Sequence, residues 1–236
     1  MEKIKSLFIW NKTLVTTILV FINVAFFLWM MINFGSTTDI EALLQTGANF
    51  APFIIHYQDW YRLITAAFIH IGGTHLLMNM IVLFFLGIEL EPIMGSLRFL
   101  ILYFVAAIGG NVVSFAFNDN ISAGASTALF GMFTAMLTLS TIYPDNRYLK
   151  SRALSMGFVL AFNIVLGLIN QGVDNFGHIG GALFGALITY GIETPIASHN
   201  NRLYRLLAVL GIVILFLLFV WYGYYSRGIN IGGILG

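Results

Sequence analysis

Apolar runs separated by short polar stretches dominate this chain. The first covers residues 13–34. After a mixed stretch at 35–73, further runs cover 74–89, 97–117, 126–141, 153–169, 175–192 and 206–222. Runs near 20 apolar residues predict membrane-spanning helices. Run 74–89 is short, about 24 Å at 1.5 Å per residue, and is expected to span only a thinned bilayer or to end in loops within it. Thr74, after Gly72 and Gly73, reads as its N-cap. Pro52, Pro92, Pro144 and Pro195 are all expected between spans, where a missing N–H costs least. The first run lacks a small-residue cleavage site and reads as an uncleaved anchor.

Composition agrees with the pattern. Of 236 residues, 59% are hydrophobic and 9% charged, and mean hydropathy is +0.89. The net charge of +1 gives no electrostatic footprint for nucleic acid. Without cysteine there are no disulfides, no thiolate catalysis and no cysteine-bound metal. Seven spans put the termini on opposite sides. With the N-terminus inside, the inner segments hold Lys3, Lys5, Lys12, Arg98, Arg147, Lys150, Arg152, Arg202 and Arg205, and only Arg62 and Arg227 are outside. The positive-inside rule therefore predicts N-in and C-out. The stretch 35–73 mixes Tyr57, Trp60 and Tyr61 with Asp39, Glu41, Asp59 and Arg62, which suits the membrane–water interface.

On this topology four hydrogen-bonding side chains fall at one depth, in the outer leaflet. Ser126 begins a span entered from outside, His178 lies one turn into another, and His75 and Asn79 lie in the first two turns of a third. Polar groups in a membrane are costly and face the bundle interior or a water-filled cavity. Gly124 lets the backbone before the serine bend. Gly181 and Gly185 share a face with His178, at i+3 and i+7, and with Gly177 form a small-residue stripe. That stripe reads either as packing alone or as the close approach that delivers His178 to Ser126, and the second requires the first. Phe130 shares the Ser126 face at i+4. His75 and Asn79, also i and i+4, read as interhelical hydrogen-bond donors or as groups facing developing negative charge. A metal site on His70, His75 and His178 competes, but no H-E-x-x-H and no acid at that depth accompany them.

The residues resemble the rhomboid family of intramembrane serine proteases from about Trp60 to Tyr190. Trp60 and Arg62 resemble its W-x-R. His70, His75 and Asn79 resemble its H-x4-H-x3-N, and Glu91 with Gly95 and Ser96 the segment after its second helix. Gly124-x-Ser126 resembles its nucleophile motif, and His178-x2-Gly181-x3-Gly185 its base helix. The resemblance implies an all-α polytopic fold: a rhomboid-like six-helix core over 13–192, after a short cytoplasmic N-terminus at 1–12. Residues 193–236 would add an inner loop, a seventh transmembrane helix and a short outer C-terminus.

The resemblance also implies a Ser126–His178 dyad without a third acid. His75, Asn79 and the Ser126 N–H would make the oxyanion hole, with Gly124 beside them. Phe130, Gly181, Gly185, Trp60 and Arg62 would support the site, and residues 171–173 would resemble the family's cap. No cofactor or metal is implied. The expected partners are single-span or polytopic membrane-protein substrates and the lipid bilayer, with no nucleic acid. The expected location is a bacterial plasma membrane. Two positions depart from the family: Thr127 stands where Gly is usual, and Gly177 where Ala is frequent. Thr127 is expected to narrow the pocket or to add a hydroxyl. A non-catalytic binder on the same fold is the alternative function. A transporter would need polar residues through both leaflets.

Overall fold

The computed structural model describes residues 13–170, 172–192 and 202–227. The expected N-terminal segment 1–12, position 171 of the cap, the loop 193–201 and the tail 228–236 lie outside the described residues. The rest is helical: α1 (Leu14–Phe34), short α2 (Ile40–Thr46), α3 (Ala51–Tyr57) and α4 (Arg62–Thr65), then α5 (Gly73–Met94), α6 (Ser96–Phe117), α7 (Ser126–Ile142), α8 (Arg147–Ile169), α9 (Asn175–Gly191) and α10 (Arg202–Tyr225). Among the described residues the one β-type contact is an isolated antiparallel bridge between Asn49 and Ser122. Five helices, α1, α5, α6, α8 and α10, are long and apolar enough to cross a membrane, and α7 and α9 have 17 residues each.

The small residues decide the layering. α6 and α7 lie inside, with most of α6 buried, while α1, α8 and α10 turn large apolar side chains such as Phe21, Phe158 and Leu217 outward. A lipid-facing helix can be apolar all round, so amphipathic periodicity is weak. The main core joins Leu83, Leu90, Phe99, Tyr103, Met132 and Met136 from α5, α6 and α7. A second cluster packs Phe115, Phe184 and Tyr224 between α6, α9 and α10.

α5 corrects three expectations. It begins at Gly73 behind an N-cap at Gly72, with no side-chain cap, so Thr74 does not cap it. It then runs through Pro92 to Met94, 22 residues in all, long enough to span without thinning. Pro92 therefore sits inside a helix, and Pro52 in the first turn of α3. One proline near a helix end removes a single backbone bond, and complete burial of Leu90, Glu91 and Met94 outweighs that loss.

Glu91 explains why this end is buried. Its carboxylate accepts from the Val15 N–H (3.0 Å), the Thr16 N–H (2.8 Å) and hydroxyl (2.7 Å), and the Ser96 hydroxyl (2.6 Å). It satisfies the open donors at the N-terminus of α1, where a negative charge is favoured. Nearby, Arg152 of α8 pairs with Glu89 through Nε (2.8 Å) and Nη2.

The stretch 35–73 folds around Arg62, which is 3% exposed. Its guanidinium donates to Asp59 Oδ2 through Nε (3.0 Å) and Nη2 (2.8 Å), and through Nη1 to the carbonyls of Leu44 (2.8 Å) and Ala48 (3.1 Å). A planar fork with fixed donors suits this task, and lysine could not replace it. Two buried asparagines continue the frame. Asn49 donates to the Asn111 carbonyl (2.9 Å), and Asn111 to that of Leu63 (2.9 Å).

Candidate active site

Ser126 is the first residue of α7, so its N–H has no partner within the helix. Two contacts fix the turn before it. The Gly124 N–H donates to the Ala66 carbonyl (2.9 Å), and the Ala125 N–H to His70 Nε2 (3.4 Å). Gly124 has φ +136, a value that side chains rarely tolerate. A methyl group there would stand 2.7 Å from His75 Cε1 and 2.9 Å from its Nε2. The glycine is thus needed twice, for its backbone and for the approach of His75. Its own N–H is used, so it makes room for donors and is not one.

His178 Nε2 lies 2.9 Å from Ser126 Oγ. Two features hold the ring. Phe130 stacks beneath it, with centroids 4.0 Å apart and planes 12° apart. α9 also packs tightly on α7: a methyl on Gly181 would collide with the Thr127 carbonyl, and one on Gly185 with the Gly131 backbone. Thr134 of α7 pins the same pair through a 2.7 Å bond to the Ala182 carbonyl. If Nε2 accepts from the serine hydroxyl, the ring proton is on Nδ1. His178 Nδ1 is buried without a protein partner, as is Asp174 Oδ2 one turn earlier, while Asp174 Oδ1 caps α9 at the Gly177 N–H (2.9 Å).

His75 and Asn79 reach the opposite side of the turn. His75 Nδ1 accepts from the Ile71 N–H (3.4 Å), so its proton is on Nε2, which faces Gly124. Asn79 Nδ2 is buried without a protein partner, and lies 3.5 Å from the methyl position on Gly124. Two side-chain donors therefore point at the space beside Ser126. His70 stands behind His75, with ring centroids 5.2 Å apart. Burial, with His75 adding to it, pushes the His70 pKa down to about 3, so the ring is neutral. His70 Nε2 and His75 Nδ1 are both occupied by backbone N–H groups, which leaves no convergent lone pairs for a metal.

These groups line a cavity of about 860 Å³ with Ser126, His178, His75, Asn79, Gly124 and Phe130 on its walls. Trp60 and Arg62 stay away from it, in the frame built by residues 35–73. Thr127 borders the cavity but is 3% exposed. Its methyl stands 2.9 Å from the Cβ position of Gly110 and 3.2 Å from that of Gly177. Its branched side chain is turned mainly into the helix packing, and its hydroxyl is buried without a hydrogen-bond partner. The two departures from the family pattern are neighbours: a methyl at position 177 would stand 3.2 Å from the Thr127 methyl, and nearer still, 2.6 Å, to Asp174 Oδ2.

An all-helical membrane bundle with a hydroxyl–imidazole pair facing a cavity defines a narrow class. The Rhomboid domain family matches residues 57–194, more than half of the chain, and the chain belongs to that family. It is 32% identical to Rhomboid protease GluP of Bacillus subtilis, over 92% of this chain and 42% of that protein. It is 39% identical to RHOMBOID-like protein 1 of Arabidopsis thaliana, over 63% and 38%. With Rhomboid-like protease 3 of Toxoplasma gondii it shares 33%, over 77% and 70%. The first two relatives are thus covered over about two fifths of their length. The chain is an integral multi-pass membrane protein with an all-α rhomboid fold.

Proposed function

We propose that this chain is an intramembrane serine endopeptidase whose nucleophile is Ser126 and whose base is His178, acting on transmembrane segments of other membrane proteins. The observation that carries the reading is the 2.9 Å contact between Ser126 Oγ and His178 Nε2 beside the two donors of His75 and Asn79. The reaction follows from the groups present. Ser126 Oγ attacks the scissile carbonyl carbon as its proton passes to His178 Nε2. The oxygen that gains charge is held by His75 Nε2–H, Asn79 Nδ2–H and the Ser126 N–H. The carbon–nitrogen bond breaks, and the amine leaves with the proton from His178. A water then gives a proton to His178 and attacks the acyl-serine, and Ser126 recovers its proton as the acid leaves. Residues 13–192 form the catalytic unit in this reading, and α10 is an addition to it.

A membrane helix hides its carbonyls in backbone hydrogen bonds, and freeing them in lipid costs several kcal/mol. Substrates are therefore expected to carry Gly, Pro or polar residues near the outer end of the cleaved segment. The test uses single-span substrates in proteoliposomes, with cut sites mapped by mass spectrometry. Cleavage confined to helix-broken segments, in their outer half, is expected. Equal cleavage of an uninterrupted poly-leucine helix would reject this reading.

The proposed orientation is N-in and C-out, with the cavity open to the outer surface. The two cations on that outer side are both ion-paired, Arg62 with Asp59 and Arg227 with Asp119, which accounts for their departure from the positive-inside pattern. Reporter fusions at Asn146 are expected to signal from the inside and those at Asn118 from the outside. The reverse pattern would remove the orientation.

A further inference from the structure

α10 carries no group that reaches Ser126 or His178, yet its outer end grips the approach to the cavity. Tyr224 lies with ring centroids 5.9 Å from Phe115 and 6.0 Å from Trp60, and Gly223 sits against the Phe115 ring, 2.7 Å from methyl position to Cδ1. One turn on, Arg227 donates through Nη2 to the Asn118 carbonyl (3.2 Å) and to Asp119 Oδ1 (2.9 Å). Its Nη1 bonds the Gly223 carbonyl of its own helix (3.0 Å). Its guanidinium lies 5.7 Å from the Phe115 ring centroid. The segment it holds leads directly to the nucleophile: Asn118, Asn120, Ile121 and Ser122 line the cavity just before Ser126.

We propose that Arg227 is a positioning residue for substrate, and that α10 clamps the cavity rim at residues 118–122. The proposal rests on the protease reading for its effect on cleavage, but not for the clamp itself. The rim's other ties are few: the Asn118 N–H to the Ser114 carbonyl, the Asn120 N–H to Asn118 Oδ1, the pair of bonds between Asn49 and Ser122, and Gly124 to Ala66. Magnitudes separate the two bonds from Arg227. The Asp119 side chain is 90% exposed, so its ion pair is screened and weak. The Arg227 side chain is 18% exposed, and its charged bond to a backbone carbonyl is the stronger restraint. Arg227 touches no reacting atom, so its loss should loosen the rim and leave the Ser126–His178 chemistry in place.

The test compares wild type with Arg227→Ala, Arg227→Lys and Asp119→Asn in detergent and in proteoliposomes. Backbone hydrogen exchange at residues 118–122 should quicken about tenfold in Arg227→Ala, as expected for losing one charge-assisted bond. Arg227→Lys should fall between, and Asp119→Asn should stay near wild type. In Arg227→Ala the KM for a transmembrane substrate should rise about tenfold, while kcat and labelling by a small fluorophosphonate stay within about twofold. Unchanged exchange in both Arg227 variants would overturn the clamp. Labelling that falls in step with cleavage would overturn the assignment to substrate positioning. A wild-type protein that neither labels nor cleaves would sink the protease reading, while the exchange comparison would still decide the clamp.

Discussion

Ser126→Ala and His178→Ala are each expected to lose proteolysis by at least about a thousandfold, with the double variant no worse than either alone. The reason is that a nucleophile and its base act as one unit. Once either is missing, the other has nothing left to contribute, so the losses do not add. Labelling by a fluorophosphonate disappears in both variants. Asn79→Ala behaves differently. The dyad contact is untouched and only one of three donors is lost, so turnover falls on the order of 100-fold while labelling persists. All three proteins should still insert and fold, with Ser126→Ala unfolding near the wild-type temperature and His178→Ala somewhat lower, because it also loses the stack on Phe130 between α9 and α7. Full activity in His178→Ala would remove the assigned base. Equal loss of labelling in Asn79→Ala would mean that Asn79 holds the dyad together and is not simply a donor.

The Ser126–His178 contact is legible in the sequence because depth and direction suffice to bring the two side chains together. Ser126 and His178 each begin a span entered from the same side, and the glycines at 181 and 185 announce a helix that can come close. What the sequence hides is every pairing between distant loops. Asn49, Asn111 and Thr134 look like scattered polar residues, and their partners, the carbonyls of Asn111, Leu63 and Ala182, carry no side-chain signal. Glu91 was visible as a motif position, yet its role depends on Thr16, 75 positions away. Nothing local to residues 118–119 announces that Arg227 will bind them. The end of α5 departs from its sequence signal for a related reason. A proline is a local signal against helix, and it was overridden by burial that only the folded bundle supplies.

The end of the bundle that carries Arg62 and Arg227 gains its rigidity from bonds to backbone carbonyls more than from ion pairs. Arg62 and Arg227 each spend part of their guanidinium on carbonyls and part on an acid. Carbonyls of irregular backbone at the membrane surface need donors, and a fork with several N–H groups serves two or three at once. This is why a stretch too apolar to be an ordinary water-exposed loop can still hold Ala66 and His70 against the turn before Ser126.

Gly181→Ala is expected to cost about 100-fold in kcat, although residue 181 touches no substrate. Its methyl would stand 2.8 Å from the Thr127 carbonyl carbon and closer still to the oxygen. These are backbone atoms of α7 and cannot turn aside, so the helices must separate. The collision lies one turn from His178 and one residue from Ser126, and a shift near 1 Å at a reacting pair costs about that factor. Overpacking should also lower stability by about 1–3 kcal/mol. Gly177→Ala provides the contrast. Its methyl would meet Asp174 Oδ2 at 2.6 Å and the Thr127 methyl at 3.2 Å, side-chain atoms that can give way by small shifts where backbone cannot. The loss should be several-fold only, and smaller when Thr127→Gly is introduced as well, since the two positions compete for one methyl-sized space and should couple favourably. Cleavage rates and thermal unfolding of the three single variants and the Thr127→Gly, Gly177→Ala pair check this. A wild-type rate in Gly181→Ala would show that helix separation does not control the dyad. Additive losses in the pair would show that Thr127 and Gly177 do not share that space.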